Sequence, residues 1–98
     1  MDIVKTQVGA KLTLALIGRL DTTTAPQLEA EVTGSLGGIT ELVLDFQKLE
    51  YVSSAGLRVL LAAQKIMNKQ GTMVIRNVCE DIREVFEITG FSDILTIE

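Results

Sequence analysis

Histidine and tryptophan are absent from this 98-residue chain, and cysteine and proline occur once each. Without histidine there is no Ser-His-Asp or Cys-His nucleophile pair, no imidazole metal ligand and no ordinary pH switch near neutrality. The single cysteine, Cys79, excludes a disulfide framework and a zinc cluster, and a lone thiol suits a reducing compartment. Aromatic residues are equally sparse. Phe46, Tyr51, Phe86 and Phe91 are too scattered to form a stacking platform for single-stranded nucleic acid. Nine basic residues against thirteen acidic ones leave a net charge of -4, which disfavours a phosphate-backbone partner. No apolar run approaches the roughly 18–20 residues that span a bilayer, so membrane insertion is not expected. The opening Met1-Asp2-Ile3-Val4-Lys5 lacks the basic start of a signal peptide. These absences lead to the expectation of a cytoplasmic domain that is not an enzyme and carries no metal or cofactor.

What remains is a folded chain. A hydrophobic fraction of 47% with 22% charged residues is that of a globular protein rather than a disordered one. The length supports one core and no second, so residues 1–98 read as a single domain. Ile3–Val8 and the alternating run containing Leu12, Leu14 and Leu16 flank Gly9-Ala10, which predicts an antiparallel hairpin. The second strand stops at Gly18-Arg19-Leu20-Asp21. Thr24 then stands three residues before Gln27, the spacing of a capping box, with Pro26 tolerated in the first turn. Leu28, Val32 and Leu36 share one face of the helix that follows, which ends at Gly37-Gly38.

Leu42–Phe46 is a nearly continuous apolar run, as expected of a strand covered on both faces, and Thr72–Ile75 is another. Between them the longest helical pattern runs from about Ser54 to Asn68. Gly56, Val59, Leu60, Ala63, Ile66 and Met67 lie on one side, with Arg58, Lys65 and Lys69 on the other. Gly71 terminates it. A last helix from about Glu80 to Thr89 presents Ile82, Val85, Phe86 and Thr89, and Gly90 closes it. Ile94–Ile97 reads as a final short strand. The fold class is therefore α/β, a mixed sheet with helices packed on it in the order β-β-α-β-α-β-α-β. Right-handed crossovers make the second, third and fourth strands parallel. Loops leaving the carboxyl ends of parallel strands collect along one edge, where ligands and partners bind. Asp21 and the pair Ser53-Ser54 both arrive there.

The serine pair admits two readings. Serine is a leading N-cap residue, so the pair reads structurally as a helix start, with Gly56 letting the helix approach the sheet. It also reads as a phosphorylation site, where a phosphate would gain from the positive helix end while presenting up to about two negative charges to any packed partner. Asp21 reads either as a turn acid or as part of the same edge. Asp45, at the end of an apolar run beside it, reads as structural. Cys79 has no basic neighbour in sequence and reads as inert. Gly34–Gly38 ends a helix and lacks the lysine of a phosphate-binding loop.

Tyr51-Val52-Ser53-Ser54-Ala55-Gly56-Leu57, preceded by Gly18-Arg19-Leu20-Asp21 and Leu42-Val43-Leu44-Asp45, resembles the anti-sigma-factor antagonists of the STAS domain family. The resemblance covers essentially the whole chain. It implies a protein that binds a sigma factor's inhibitor, itself a serine kinase, and thereby frees the sigma factor. Phosphorylation of one serine by that kinase breaks the complex, and a serine phosphatase resets it. Matching Gly56-Leu57 places the phosphorylated serine on Ser54 and the family's strand-end aspartate on Asp21. The residue before that serine is often Asp in the family and here is Ser53, which becomes a competing acceptor. The residue after it is often Ser or Thr and here is Ala55. The resemblance further implies that the helix after the serine faces the partner, adding Arg58 and Leu61 to Asp21, Ser53, Ser54 and Gly56 as contacts. An alternative from the same family is a constitutive scaffold in a signalling assembly or a subunit of a lipid-trafficking ABC transporter, with no phospho-switch. An enzymatic reading finds no general base for Ser54 beyond carboxylates and amines, and no oxyanion loop.

Overall fold

The computed structural model describes residues 1–98. Seven residues on each side of Gly9-Ala10 zip into an antiparallel ladder, from Val8 opposite Lys11 out to Asp2 opposite Ile17. Gly9 takes the left-handed φ of +60° at the first position of this two-residue loop, a conformation that glycine enters without steric penalty. The strands are β1, Asp2–Val8, and β2, Lys11–Leu20, as the alternation predicted, with β2 continuing through two register irregularities to Leu20. Helix α1 spans Ala25–Ser35, β3 Glu41–Val52, α2 Ser54–Asn68, β4 Thr72–Arg76 and α3 Glu80–Thr89. The sheet order is β1-β2-β3-β4, with β2, β3 and β4 mutually parallel. The last β of the expected order is reduced to one parallel bridge, Ile97 to Ile75, after a short 3-10 turn at Phe91–Asp93.

Leu12, Leu14 and Leu16 of β2 lie in register or alternation with Leu42 and Leu44 of β3 and with Met73 and Ile75 of β4. All belong to one buried cluster. Leu28 and Val32 of α1, Leu60, Ala63 and Met67 of α2, and Ile82 and Phe86 of α3 fill the same cluster. The Phe86 ring meets Phe46 with centroids 6.4 Å apart. All three helices thus cover one face of the sheet. Consecutive right-handed crossovers between neighbouring strands place every helix on the same side, and this corrects the expectation that β3 is covered on both faces. The opposite face carries Thr13, Ala15, Ile17 and Val74, all half-buried, and Val43 is screened there by its strand neighbours.

β3 also runs well past the expected Leu42–Phe46. Its pairing with β4 ends at Asp45 opposite Arg76, whereas its pairing with β2 continues to Val52. The half with only one strand neighbour accommodates the exposed Gln47, Lys48 and Glu50. Asp45 is consequently mid-strand and several rungs from Asp21. Its carboxylate accepts from the Gln47 amide at 3.0 Å and from the Asn77 side chain at 3.0 Å, a structural role but not at the place expected. Thr89, expected on the apolar face of α3, is exposed, and its hydroxyl donates to the Val85 carbonyl at 2.7 Å. Gln64, by contrast, is buried with its Oε1 unpaired.

Candidate partner-docking edge

Leu20 and Val52 are register partners at the carboxyl ends of β2 and β3. The chain turns there without a loop: Ser53 alone separates β3 from α2, and its N–H donates to the Leu20 carbonyl at 2.8 Å. Ser53 is extended, at φ -91° and ψ 173°, and its hydroxyl oxygen accepts the Gly56 N–H at 3.2 Å. This is an N-cap in the ordinary sense, satisfying one of the amides that a helix start leaves free. The two serines therefore stand in different settings. Ser53 is half-buried and committed to the cap. Ser54, the first residue of α2, is exposed and takes no part in capping. No acidic residue stands in the first turn of α2, so the positive end of the helix is not locally neutralised.

Gly56 is buried against the end of β2. A Cβ there would lie 2.7 Å from Leu20 Cγ and 3.1 Å from the Leu20 carbonyl oxygen. Leu20 is itself fully buried, so the absence of a side chain at Gly56 is what brings the serine-bearing helix start down onto the sheet edge.

Asp21 organises the neighbouring turn. Its Oδ1 accepts the Thr23 N–H at 3.0 Å and the Thr24 N–H at 3.1 Å, and its carbonyl accepts the Ala25 N–H at 2.7 Å. The expected capping box between Thr24 and Gln27 does not form. The Thr24 hydroxyl instead donates to the Arg19 carbonyl at 2.8 Å and accepts the Asp21 N–H at 2.8 Å. With the Asp21 carboxylate on the turn amides, the Thr24 hydroxyl is free to fasten the turn back to the strand. The Thr24 amide bond holds the Asp21 carboxyl below its ordinary pKa; partial burial opposes this, and the Thr23 amide, Thr24 hydroxyl and Arg19 charge reinforce it.

This shift has a pH consequence. A carboxyl whose pKa is lower in the folded state adds stability above its unfolded value and loses it as pH falls through the folded value. Melting curves of the wild type should therefore drop more steeply than those of Asp21→Asn as pH falls below the ordinary aspartate value of 3.8. Superimposable pH profiles for the two proteins would contradict this role for Asp21.

Asp21, Ser53, Ser54 and Gly56 thus gather at one edge. Arg58 is exposed one turn along α2, and with Ala55 it faces Thr22, Pro26 and Glu29 across a shallow groove of about 210 Å³. Leu61 lies further along the helix and is half-buried. Two residues of this edge lie in the family-like segments but had no contact role assigned from sequence. The Arg19 guanidinium sits 4.3 Å over the ring of Tyr51, which is 41% exposed, and Arg19 Nε is 3.8 Å from Asp21 Oδ2. A stacked Tyr-Arg pair is the type of side-chain group that dominates interface energetics. No cluster of three or more ligand-type side chains exists that would hold a metal ion.

Comparison with known proteins agrees with this architecture. The family model for the STAS domain matches residues 2–98. The anti-sigma factor antagonist candidate BtrV of Bordetella bronchiseptica is 38% identical over 99% of this chain and 85% of its own length. Among solved structures, an anti-sigma factor antagonist from Mycobacterium paratuberculosis superposes with a TM-score of 0.88 at 21% identity, covering 98% of this chain and 83% of that one. The Bacillus cell fate determinant SpoIIAA in its phosphorylated form superposes with a TM-score of 0.77 at 19% identity, over 99% and 91% of the two chains. The strand and helix arrangement is thus a shared fold, and the chain belongs to the STAS domain family, among the anti-sigma-factor antagonists.

Proposed function

We propose that residues 1–98 act as one phosphorylation-controlled binding module, which docks a kinase-type anti-sigma factor in the cytoplasm and releases the sigma factor. The observation that carries this reading is the division of labour between the two serines. Ser53 is consumed by the cap, whereas Ser54 offers an exposed hydroxyl at the helix start, two residues beyond the Leu20–Val52 pair where β2 and β3 end together. In the unphosphorylated state the partner meets a preorganised edge: the Asp21 turn, the Arg19–Tyr51 stack and the α2 face bearing Arg58 and Leu61. A phosphate on Ser54 is tolerated by the domain, because the first-turn amides of α2 favour an anion and no acid competes there. It is not tolerated by the partner, which would have to pack against a dianion beside the ionised Asp21. The module performs no chemistry of its own in this reading. It is a substrate of the kinase and of a serine phosphatase that restores it.

The test is direct. Incubation with the cognate anti-sigma factor and ATP should place one phosphate per chain, located on Ser54 by peptide mass spectrometry. Ser54→Ala should abolish incorporation, and Ser53→Ala should retain it with a less stable α2 start. Undiminished labelling of Ser54→Ala would remove the assignment.

A further inference from the structure

The two edges of the sheet are finished differently. The chain's own carboxyl-terminal segment covers β4: the Ile75 N–H donates to the Thr96 carbonyl at 2.9 Å and the Glu98 N–H to the Ile75 carbonyl at 2.8 Å. β1 has no covering segment. Its outer edge is seven residues long, without proline or register irregularity, and Val4 and Val8 are 52% and 73% exposed. Natural edge strands are ordinarily blunted by charge, proline or a bulge. The one lysine of β1 does not serve that purpose. Lys5 faces the helix side, where its Nζ donates to Ser35 Oγ at 2.9 Å and lies 3.4 Å from Glu31 Oε1. Val4, Thr6 and Val8 face the helix-free side, and Val4 there continues into a groove of about 280 Å³ with Ala15 and Ile17.

We infer that β1 pairs antiparallel with β1 of a second copy, centred on Thr6, to form a two-fold symmetric dimer with one continuous sheet. The register follows from the side chains. In a continuous sheet, opposed residues must share a face, which restricts the choices to steps of two. Centring the pair on Lys5 opposes two lysines. Centring it on Val4 opposes Ile3 to Lys5 and leaves both Val8 side chains unpaired. Centring it on Thr6 sets Val4 of each copy against Val8 of the other and Thr6 against Thr6, with Lys5 beside Gln7. Only this register covers all the exposed valines, and such cross-strand apolar pairs are what stabilise a ladder. Charge agrees with a second copy as the occupant. The segment Val4-Lys5-Thr6-Gln7-Val8 contains no acid, and its lysine is already paired to Glu31, so the net charge of -4 on each chain is not concentrated at the seam. Thr6 pairs with Thr13, toward the hairpin, whereas Asp21 and Ser54 stand at the other ends of the strands. Each copy therefore keeps its docking edge free.

Sedimentation equilibrium and oxidative cross-linking test this. A five-residue strand pair is a small interface, with half-association on the order of 100 μM. The wild-type mass should rise from 10.7 kDa toward twice that value with concentration, whereas Val8→Lys, checked for an unchanged melting curve, should stay at 10.7 kDa. In a Cys79→Ser background, Thr6→Cys should cross-link readily, because directly opposed Cα atoms in an antiparallel pair lie roughly 4.5–5.5 Å apart, within disulfide reach. Lys5→Cys in the same background should not cross-link. A monomer at every concentration, a dimer indifferent to Val8→Lys, or equal cross-linking at positions 5 and 6 would each overturn the proposal.

Discussion

Under the proposed docking, Ser54→Asp is expected to weaken binding to the kinase-type anti-sigma factor by about 10–100-fold, an effect of roughly 1.4–2.8 kcal/mol, while raising the melting temperature by a few degrees. The two changes have opposite signs for one reason. An acid at the first position of α2 faces unpaired helix amides in a turn that holds no other acid, so the isolated domain gains a charge–dipole interaction of about 0.3–1 kcal/mol. In the proposed complex the same carboxylate must be desolvated on the sheet edge it shares with Asp21, whose carboxyl is already held ionised by the Thr24 and Thr23 amides. Ser54→Ala should bind within about twofold of wild type, because the hydroxyl caps nothing and a methyl group adds no charge. Isothermal titration calorimetry with the three proteins, alongside thermal melts, measures both quantities. Equal affinities for Ser54→Asp and Ser54→Ala would remove charge as the basis of the switch. Weaker binding accompanied by a lower melting temperature would trace the effect to damage in the domain instead.

This edge was legible in the sequence because its position depends on topology. Alternating strand and helix patterns with right-handed crossovers bring Asp21 and Ser53-Ser54 to the same end of a parallel sheet whatever the side-chain details. What could not be read depends on contacts that close only in three dimensions. The Arg19–Tyr51 stack needs the slipped register at the end of β2, where Arg19 pairs with Tyr51 only after two irregularities. The Thr24-Gln27 spacing is a sound local signal, but the Asp21 carboxylate, three residues upstream, takes the turn amides instead. The polar half of β3 gives no apolar run to read, because beyond Asp45 it has only β2 beside it. The apolar run at its start invited a strand covered on both faces. Val43 is indeed buried, but in the middle of an uncovered sheet face rather than under a helix.

Gly71→Ala is expected to be the most damaging conservative change in the molecule, destabilising it by about 2–4 kcal/mol and lowering the melting temperature by roughly 10–20 °C. In sequence, Gly71 reads only as the stop of α2. In the structure it is where three segments meet. Its N–H donates to the Met67 carbonyl at 2.6 Å, and the next amide, of Thr72, donates to the Thr40 carbonyl at 3.0 Å to begin the β3–β4 ladder. Just before it, the Gln70 side chain donates to the carbonyls of Leu36 at 2.6 Å and Ile39 at 2.7 Å, clasping the α1–β3 connection. A Cβ on Gly71 would overlap the Thr40 carbonyl, with the carbonyl carbon at 2.6 Å and Cα at 2.8 Å. These are backbone atoms, and Thr40 is itself anchored by donating to the Ala10 carbonyl at 2.9 Å, so no flexible side chain can yield. Relief requires β4 or the Thr40 segment to move, and either movement loosens the rung that registers β4 against β3. Gly56→Ala is the informative comparison. Its clash is mainly with the Leu20 side chain, and it regains about 0.8–1.0 kcal/mol of helix propensity. Circular-dichroism melts should therefore rank wild type, Gly56→Ala and Gly71→Ala in descending order. A Gly71→Ala protein melting within about 3 °C of wild type would show that the approach of Thr40 is not a constraint on the fold.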